Sequence, residues 1–161
     1  MTQEIKVINW GSTSLSFTAP FLFIKYIKKY QEYQVYEREK YISTLLKKFD
    51  WCPNLLYSDD VNKILIFENV GKPLCDKKKV PKDIKEQFNK ILSDMKSLNI
   101  QHNDIKIGEI LIDKNNKIYL CDFGWASINN CLGCGIDIYN GKKPYGIKND
   151  DNTLKRLNLI K

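Results

Sequence analysis

The sequence predicts an α+β fold in two parts, and three observations lead to this prediction. Short apolar segments of strand character open the chain, which predicts a small antiparallel sheet. Two longer stretches repeat their apolar residues every three or four positions, as amphipathic helices do. Late in the chain, two short apolar runs around a polar turn predict a further hairpin. The length of 161 residues fits one domain. We expect the sheet and one helix in residues 1–67 and a reduced, mostly helical part in residues 72–161.

The strands of the first part are predicted in four apolar segments. They are Glu4–Asn9, Leu15–Thr18, Phe21–Ile27 and Lys63–Phe67. A turn that contains Gly11 and Ser12 joins the first two. Lys25 is the single charged residue of the third segment, between two apolar neighbours. We therefore interpret Lys25 as a functional side chain rather than a solvated one.

Two helices are predicted from apolar spacing. A helix over Val35–Phe49 gathers apolar residues on one face, together with Glu39. The second helix, over Pro81–Leu98, starts at a proline that suits the first turn of a helix. Its predicted buried face consists of Ile84, Phe88, Ile91, Leu92 and Met95. The first helix should pack on the sheet, and the second should form a scaffold for the later part of the chain.

The composition limits the classes of partner. The net charge is +7, from 26 Lys and Arg against 19 Asp and Glu, which suits the steering of a nucleotide or an acidic substrate. No Arg-rich arm and no stripe of basic and aromatic residues stands out, so a nucleic acid is not the leading partner. We predict that the lysine run at 77–79 is a solvated loop.

The cysteines and the hydropathy indicate a reducing compartment. Five cysteines, an odd number, do not suit a disulfide framework. Cys131 and Cys134 have the spacing of a zinc pair, but no second pair completes the four ligands. No signal peptide opens the chain and no apolar run approaches about 18 residues. We expect a cytoplasmic protein, in the host cytoplasm if the chain is viral, without a membrane span.

The stretch from Ile100 to Ala126 contains the main chemical motifs. Within it stand His102-Asn103-Asp104-Ile105-Lys106 and, 18 residues after Asp104, Asp122-Phe123-Gly124. Between them, Ile110–Ile112 and Ile118–Cys121 flank a turn at residues 113–116. Such a hairpin would hold Asp104 and Asp122 at one mouth.

These motifs resemble the catalytic loop and the metal-binding loop of the protein kinase-like superfamily. The resemblance covers roughly residues 5–126 and implies a bilobal fold, with a truncated helical lobe after a hinge at residues 68–71. It implies that Asp122 holds Mg²⁺, that Asp104 orients the acceptor hydroxyl and that Lys106 neutralises the transferred phosphoryl group. His102 is expected to be structural and to pack behind Phe123.

The same resemblance implies an ATP site between the two parts. Lys25 would contact the phosphates and pair with a helix carboxylate. Apolar periodicity favours Glu39 as this partner, whereas counting from the strand favours Ser43. The site would further include Gly11 and Ser12 as the phosphate loop, the backbone of Glu68 and Val70 at the adenine edge, Phe67 beside the pocket and Leu111 as its floor.

Three departures from the superfamily pattern bear on activity. Only Gly11 remains of the glycine-rich loop, and Phe23 stands where a small residue usually covers adenine. Glu109 takes the place of an asparagine that holds a second metal ion. A glutamate is also an oxygen ligand for Mg²⁺ or Mn²⁺, but it adds a negative charge beside Asp122.

Three hypotheses for the function remain at this point. The first is an ATP- and Mg²⁺-dependent (or Mn²⁺-dependent) phosphotransferase whose acceptor is a protein Ser/Thr hydroxyl or a small-molecule hydroxyl. The second is a pseudokinase that binds a nucleotide or a protein partner without catalysis. The third is a basic module that binds nucleic acid or a partner. The presence of Lys25, Asp104, Lys106 and Asp122 together favours the first.

Overall fold

The computed structural model describes residues 6–10, 14–28, 34–76, 80–129 and 150–159. These residues form an α+β structure with antiparallel sheets and three α-helices, which confirms the predicted class. The strands are β1 (Lys6–Trp10), β2 (Ser14–Thr18), β3 (Leu22–Ile27), β4 (Leu55–Asp59), β5 (Ile64–Glu68), β6 (Lys72–Pro73), β7 (Ile100–Gln101), β8 (Ile110–Ile112), β9 (Ile118–Leu120) and β10 (Ser127–Ile128). The helices are α1 (Val35–Leu46), α2 (Ile84–Ser97) and α3 (Thr153–Arg156).

The first part of the chain forms a five-stranded sheet in the order β1-β2-β3-β5-β4. All neighbouring strands are antiparallel, and Lys25 of β3 lies between Ser16 of β2 and Leu65 of β5. These three residues are buried. Because side chains alternate between the faces of a strand, the register puts all three on the same inner face of the sheet.

Helix α1 belongs to both hydrophobic clusters of the protein. Val35 and Tyr36 in its first turn pack with the inner face of the sheet, whereas Ile42 and Leu46 pack into the larger cluster around α2. The predicted apolar face is therefore correct, but the helix ends at Leu46 and not at Phe49. Phe49 instead closes a turn onto Leu46 O at 2.9 Å and stacks on Trp51, with ring centroids 5.6 Å apart.

The described residues of the second part combine helices with short strands. Helix α2 starts at Ile84, three residues after Pro81, and the five residues predicted to be its apolar face are all buried. Around it the described residues add two small antiparallel sheets, one of β6, β8 and β9 and one of β7 and β10. The apolar side chains of these strands complete the larger core. Glu68, the first residue of the predicted hinge at 68–71, is the last residue of β5, and the hinge itself stays a prediction.

Among the described residues no helix is both long enough and apolar enough to cross a bilayer. The lysine run at 77–79 and the cysteine pair Cys131 and Cys134 lie outside the described residues. Within the described part Cys52 and Cys121 are free thiols.

Candidate active site

The hairpin of β8 and β9 brings the two motifs together, as predicted. Ile110 pairs with Leu120 and Ile112 with Ile118, and all four side chains are buried. At the open end of this hairpin the Cys121 N–H donates to Glu109 O at 3.1 Å. The chain therefore enters β8 and leaves β9 at the same place, where the loop of residues 102–109 faces Asp122.

Lys25 lies at the centre of a buried ion cluster. Its Nζ is 2.6 Å from Glu39 Oε2 and 2.7 Å from Asp122 Oδ1. The partner on α1 is therefore Glu39, as its apolar periodicity predicts, and not Ser43. Three elements that are far apart in the chain meet at this ammonium group: β3, α1 and the loop after β9.

The cluster has one cation for two carboxylates. Burial opposes the charge of Lys25, but the two carboxylates outweigh it and raise its pKa above the usual range. Burial raises the pKa of Glu39 to about 7, although Lys25 acts in the opposite direction. Burial also opposes the ionisation of Asp122, yet Lys25 holds the pKa of this carboxyl below its usual value. Asp122 is thus the charged member that faces the opening, with 39% of its side chain exposed.

A second group of charges surrounds Asp104. The Lys106 ammonium donates to Asp104 Oδ2 at 2.6 Å and lies 3.6 Å from Glu109 Oε1. The Glu109 carboxylate also accepts the Lys106 backbone N–H at 2.7 Å, so it caps the 3₁₀ turn at residues 107–109. Burial and the charge of Asp122 raise the pKa of Glu109 to about 8. Glu109 therefore faces the charged cleft rather than solvent.

His102 is structural, in agreement with the interpretation of the sequence. It is fully buried and its ring packs on Phe123, with centroids 4.9 Å apart. Its Nε2 lies 2.9 Å from Cys121 O, which can only accept, and its Nδ1 accepts the Asp104 N–H at 3.4 Å. The ring is therefore neutral with its proton on Nε2, and burial lowers its pKa.

Asn103 connects two loops of the site through its side chain. Its backbone is left-handed, with φ at 68°, a conformation that asparagine tolerates better than most residues. Its side-chain Nδ2 donates to Trp125 O at 3.0 Å and to Ser127 Oγ at 3.1 Å. Asn103 thus joins the loop of Asp104 to the segment that follows Asp122.

Asp150 is a site residue that the sequence did not predict. Its carboxylate is buried and accepts the backbone N–H of His102 at 2.6 Å and that of Asn103 at 3.2 Å. It therefore fixes the two residues that precede Asp104. The only local signal was a pair of aspartates, Asp150 and Asp151, in a polar segment.

The residues around Asp150 hold the same loop from a second side. Arg156 donates to Ile105 O at 2.9 Å, and Lys96 pairs with Asp151 at 2.7 Å. Leu154 of α3 is buried in the larger core, which attaches this segment to the rest of the protein. Residues 150–159, which lie beyond the stretch that resembles the superfamily, thus help to support the site.

The residues predicted to form the phosphate loop and the adenine edge are not all placed in the charged cleft. Gly11 and Ser12 lie outside the described residues. Glu68 donates its backbone N–H to Asn54 O at 2.9 Å, and its carboxylate accepts from the Asn54 side chain. Glu68 and Val70 line a cavity of about 390 Å³, to which Lys25, Asp104 and Asp122 contribute no lining. Their role at an adenine edge stays a prediction.

Leu111 and the two phenylalanines lie on paired strands, and their roles around a nucleotide stay predictions. Leu111 is the middle residue of β8 and is partly buried between Pro73 and Tyr119 on the neighbouring strands. Phe23 is directly opposite Phe67 in the register of β3 and β5. Both pack in the smaller hydrophobic cluster, on the inner face of the sheet.

The donor set of the cleft meets part of what Mg²⁺ needs. Within the described residues no group of three or more His, Cys, Asp and Glu side chains could hold a metal ion. Two carboxylates, Asp122 and Glu109, do interact electrostatically in the cleft. Mg²⁺ commonly takes one or two carboxylates and completes its shell with water and substrate phosphates. The residues therefore fit a metal ion that arrives with a phosphate ligand, and not a resident metal held by protein alone.

Comparison with known proteins gives one informative similarity. No protein-family profile matches the chain. The chain is 31% identical over 139 residues to serine/threonine-protein kinase 1 of Heliothis zea nuclear polyhedrosis virus. The aligned residues make up 80% of this chain and 49% of that protein. The chain spans about half the length of this curated relative. The similarity indicates a kinase-like relationship.

Proposed function

We propose that the protein is an ATP-dependent phosphotransferase with a compact, bilobal protein kinase-like fold. The observation that carries the proposal is the double contact of Lys25 with Glu39 and Asp122, at 2.6 and 2.7 Å. Desolvation of buried charges offsets much of their mutual attraction, so stability alone is a weak reason for this cluster and a functional reason is favoured. Phosphoryl transfer needs a fixed cation for the phosphates next to a carboxylate for the metal ion. The similarity to a viral Ser/Thr kinase supports the same proposal.

Each charged residue has a role in this mechanism. Lys25 binds the phosphates of the nucleotide, and Glu39 keeps its ammonium in place. Asp122 and Glu109 would hold Mg²⁺ or Mn²⁺, which neutralises charge on the phosphates when it is bound. For this, Asp122 must exchange part of its contact with Lys25 for the metal ion, and its exposure on the open side allows such an exchange.

Asp104 and Lys106 act on the acceptor side. Asp104 accepts a hydrogen bond from the acceptor hydroxyl and then takes its proton, because its carboxylate lies at the mouth of the cleft with 16% of the side chain exposed. Lys106, now paired with Asp104 at 2.6 Å, moves its flexible ammonium to the transferred group. The acceptor is proposed to be a protein Ser/Thr hydroxyl, as the name of the viral relative suggests. A small-molecule hydroxyl fits the same chemistry.

A pseudokinase is the second candidate, and two observations favour it. Glu109 caps the turn at Lys106 and has a pKa raised to about 8, so it is protonated in part at neutral pH and is a poor ligand in that form. Phe23 packs opposite Phe67 at the place expected for adenine. In this case the fold would bind a nucleotide or a partner without transfer.

Transfer of the γ-phosphate, measured with Mg²⁺ and with Mn²⁺ and including autophosphorylation, tests the proposal. Asp104→Asn should abolish transfer and leave the thermal shift caused by ATP unchanged, whereas Asp122→Asn should reduce both. Glu86→Gln, an exposed carboxylate on α2, serves as the matched control and should behave as the wild type. A thermal shift without transfer supports the pseudokinase. No shift at millimolar nucleotide, with or without metal, rejects the phosphotransferase and the nucleotide-binding form of the pseudokinase.

A further inference from the structure

Helix α1 contributes a second charged residue to the site besides Glu39. Arg38 is only 1% exposed and is among the largest fully buried side chains of the protein. Its Nη1 donates to Gly124 O at 2.7 Å. Two consecutive residues of α1 are therefore linked to the Asp122 loop. Glu39 is linked through Lys25, which contacts both carboxylates, and Arg38 is linked through its hydrogen bond to the Gly124 carbonyl.

The loop that Arg38 contacts has a backbone that needs support. Asp122 is left-handed, with φ at 67° and ψ at 65°, a region that residues with a Cβ seldom adopt. Two residues later Gly124 packs so closely against α1 that an added Cβ would lie 2.7 Å from Val35 Cγ1. The contact with Arg38 thus falls where the loop touches the helix most closely.

We infer that Arg38 is a positioning residue, which aims the Asp122 carboxylate by holding the Gly124 carbonyl against α1. The inference rests on the proposed function. Lys25 also holds Asp122, at 2.7 Å. When phosphates compete for Lys25, that contact weakens, and the bond from Arg38, together with the packing of Val35 on Gly124, then keeps the loop against α1. Arg38 therefore matters most when metal and nucleotide are bound together.

Two variants separate this role from general packing. Arg38→Met keeps the apolar stem of the side chain and removes its donors. Arg38→Lys keeps a cation but replaces the planar fork by a single ammonium group. Lys40→Met is the matched control, because Lys40 is a cation of the same helix whose ammonium forms an exposed pair with Asp60 at 2.7 Å.

The first measurement is amide hydrogen exchange of residues 122–126 in the ligand-free protein. We expect exchange roughly tenfold faster in Arg38→Met, as loss of a charge-assisted hydrogen bond implies. Exchange in Arg38→Lys should fall between Arg38→Met and the wild type, and in Lys40→Met it should be unchanged. A wild-type rate in Arg38→Lys overturns the inference, and this holds also when Arg38→Met fails to fold.

The second measurement is nucleotide affinity by calorimetry, with Mg²⁺ and with a chelator. Arg38→Met should weaken binding of the metal–nucleotide roughly tenfold and change metal-free binding little, because Lys25 and Glu39 remain. Equal losses with and without metal overturn the inference, since general loosening of the fold would cause them. A wild-type protein that binds no nucleotide rejects the proposed function instead, and the exchange experiment still reports whether Arg38 holds the loop.

Discussion

Replacement of Asp150 by asparagine should destabilise the protein strongly, although it removes only a charge. The carboxylate is buried and accepts two backbone N–H groups, at 2.6 and 3.2 Å. An asparagine side chain has one acceptor oxygen, so its NH₂ group would face the second N–H. One charge-assisted bond then becomes neutral and one buried donor loses its acceptor. Together these changes cost roughly 2–4 kcal/mol of the free energy of unfolding.

Urea denaturation followed by circular dichroism measures this cost. With a slope of about 1–3 kcal/mol per molar urea, the midpoint should fall by about 1–2 M. The neighbouring Asp151→Asn is a matched control, because Asp151 forms an exposed ion pair with Lys96. The exposed fractions of the two side chains are 48% for Asp151 and 63% for Lys96. Exposed pairs contribute only about 0–1 kcal/mol. If the two variants differ by less than about 0.5 kcal/mol, Asp150 does not anchor the loop and our reasoning fails.

Three further predictions concern the charged cleft and its contact with α1. Lys25→Met leaves two carboxylates without their cation and should cost about 3 kcal/mol in urea denaturation, and a neutral effect would contradict the ion cluster. Glu109 has a pKa raised from 4.5 to about 8, so the folded state holds a proton that the unfolded state loses, and stability falls as the pH rises towards 8. In metal-free buffer, Glu109 should lower the free energy of unfolding of the wild type by up to roughly 4–5 kcal/mol between about pH 5 and about pH 9. The free energy of unfolding of Glu109→Gln should depend less on pH, and the same pH dependence in both proteins would contradict this prediction. Gly124→Ala should cost about 1–3 kcal/mol because its Cβ meets Val35, and adding Val35→Ala should recover part of the loss in a double-mutant cycle.

The parts of the site that the sequence predicts depend on short-range patterns. The hairpin of β8 and β9 follows from two apolar runs around a polar turn, and its pairing brings both aspartate motifs to one end. Glu39 could be preferred over Ser43 because apolar spacing on α1 sets which face meets the sheet. His102 could be interpreted as structural because Phe123 follows at the right distance along the chain.

Other features depend on contacts between distant residues. Arg38 looks in sequence like a solvated charge on a helix, yet it is buried and donates to Gly124 O, 86 residues away. Asp150 reaches His102 across 48 residues of chain. No periodicity encodes such pairs, because they depend on how the second part folds back on the first.

Local patterns are sufficient to predict the α+β class, the apolar faces of α1 and α2 and the order of the charged motifs, because side-chain periodicity and turn residues act over a few positions. The end of α1 and the groups that support the loops depend instead on the folded protein. Asp150 accepts the His102 N–H from 48 residues away, and Arg38 donates to Gly124 O from 86 residues away. Such contacts form only in the folded chain, because no periodicity or turn residue brings their two partners together.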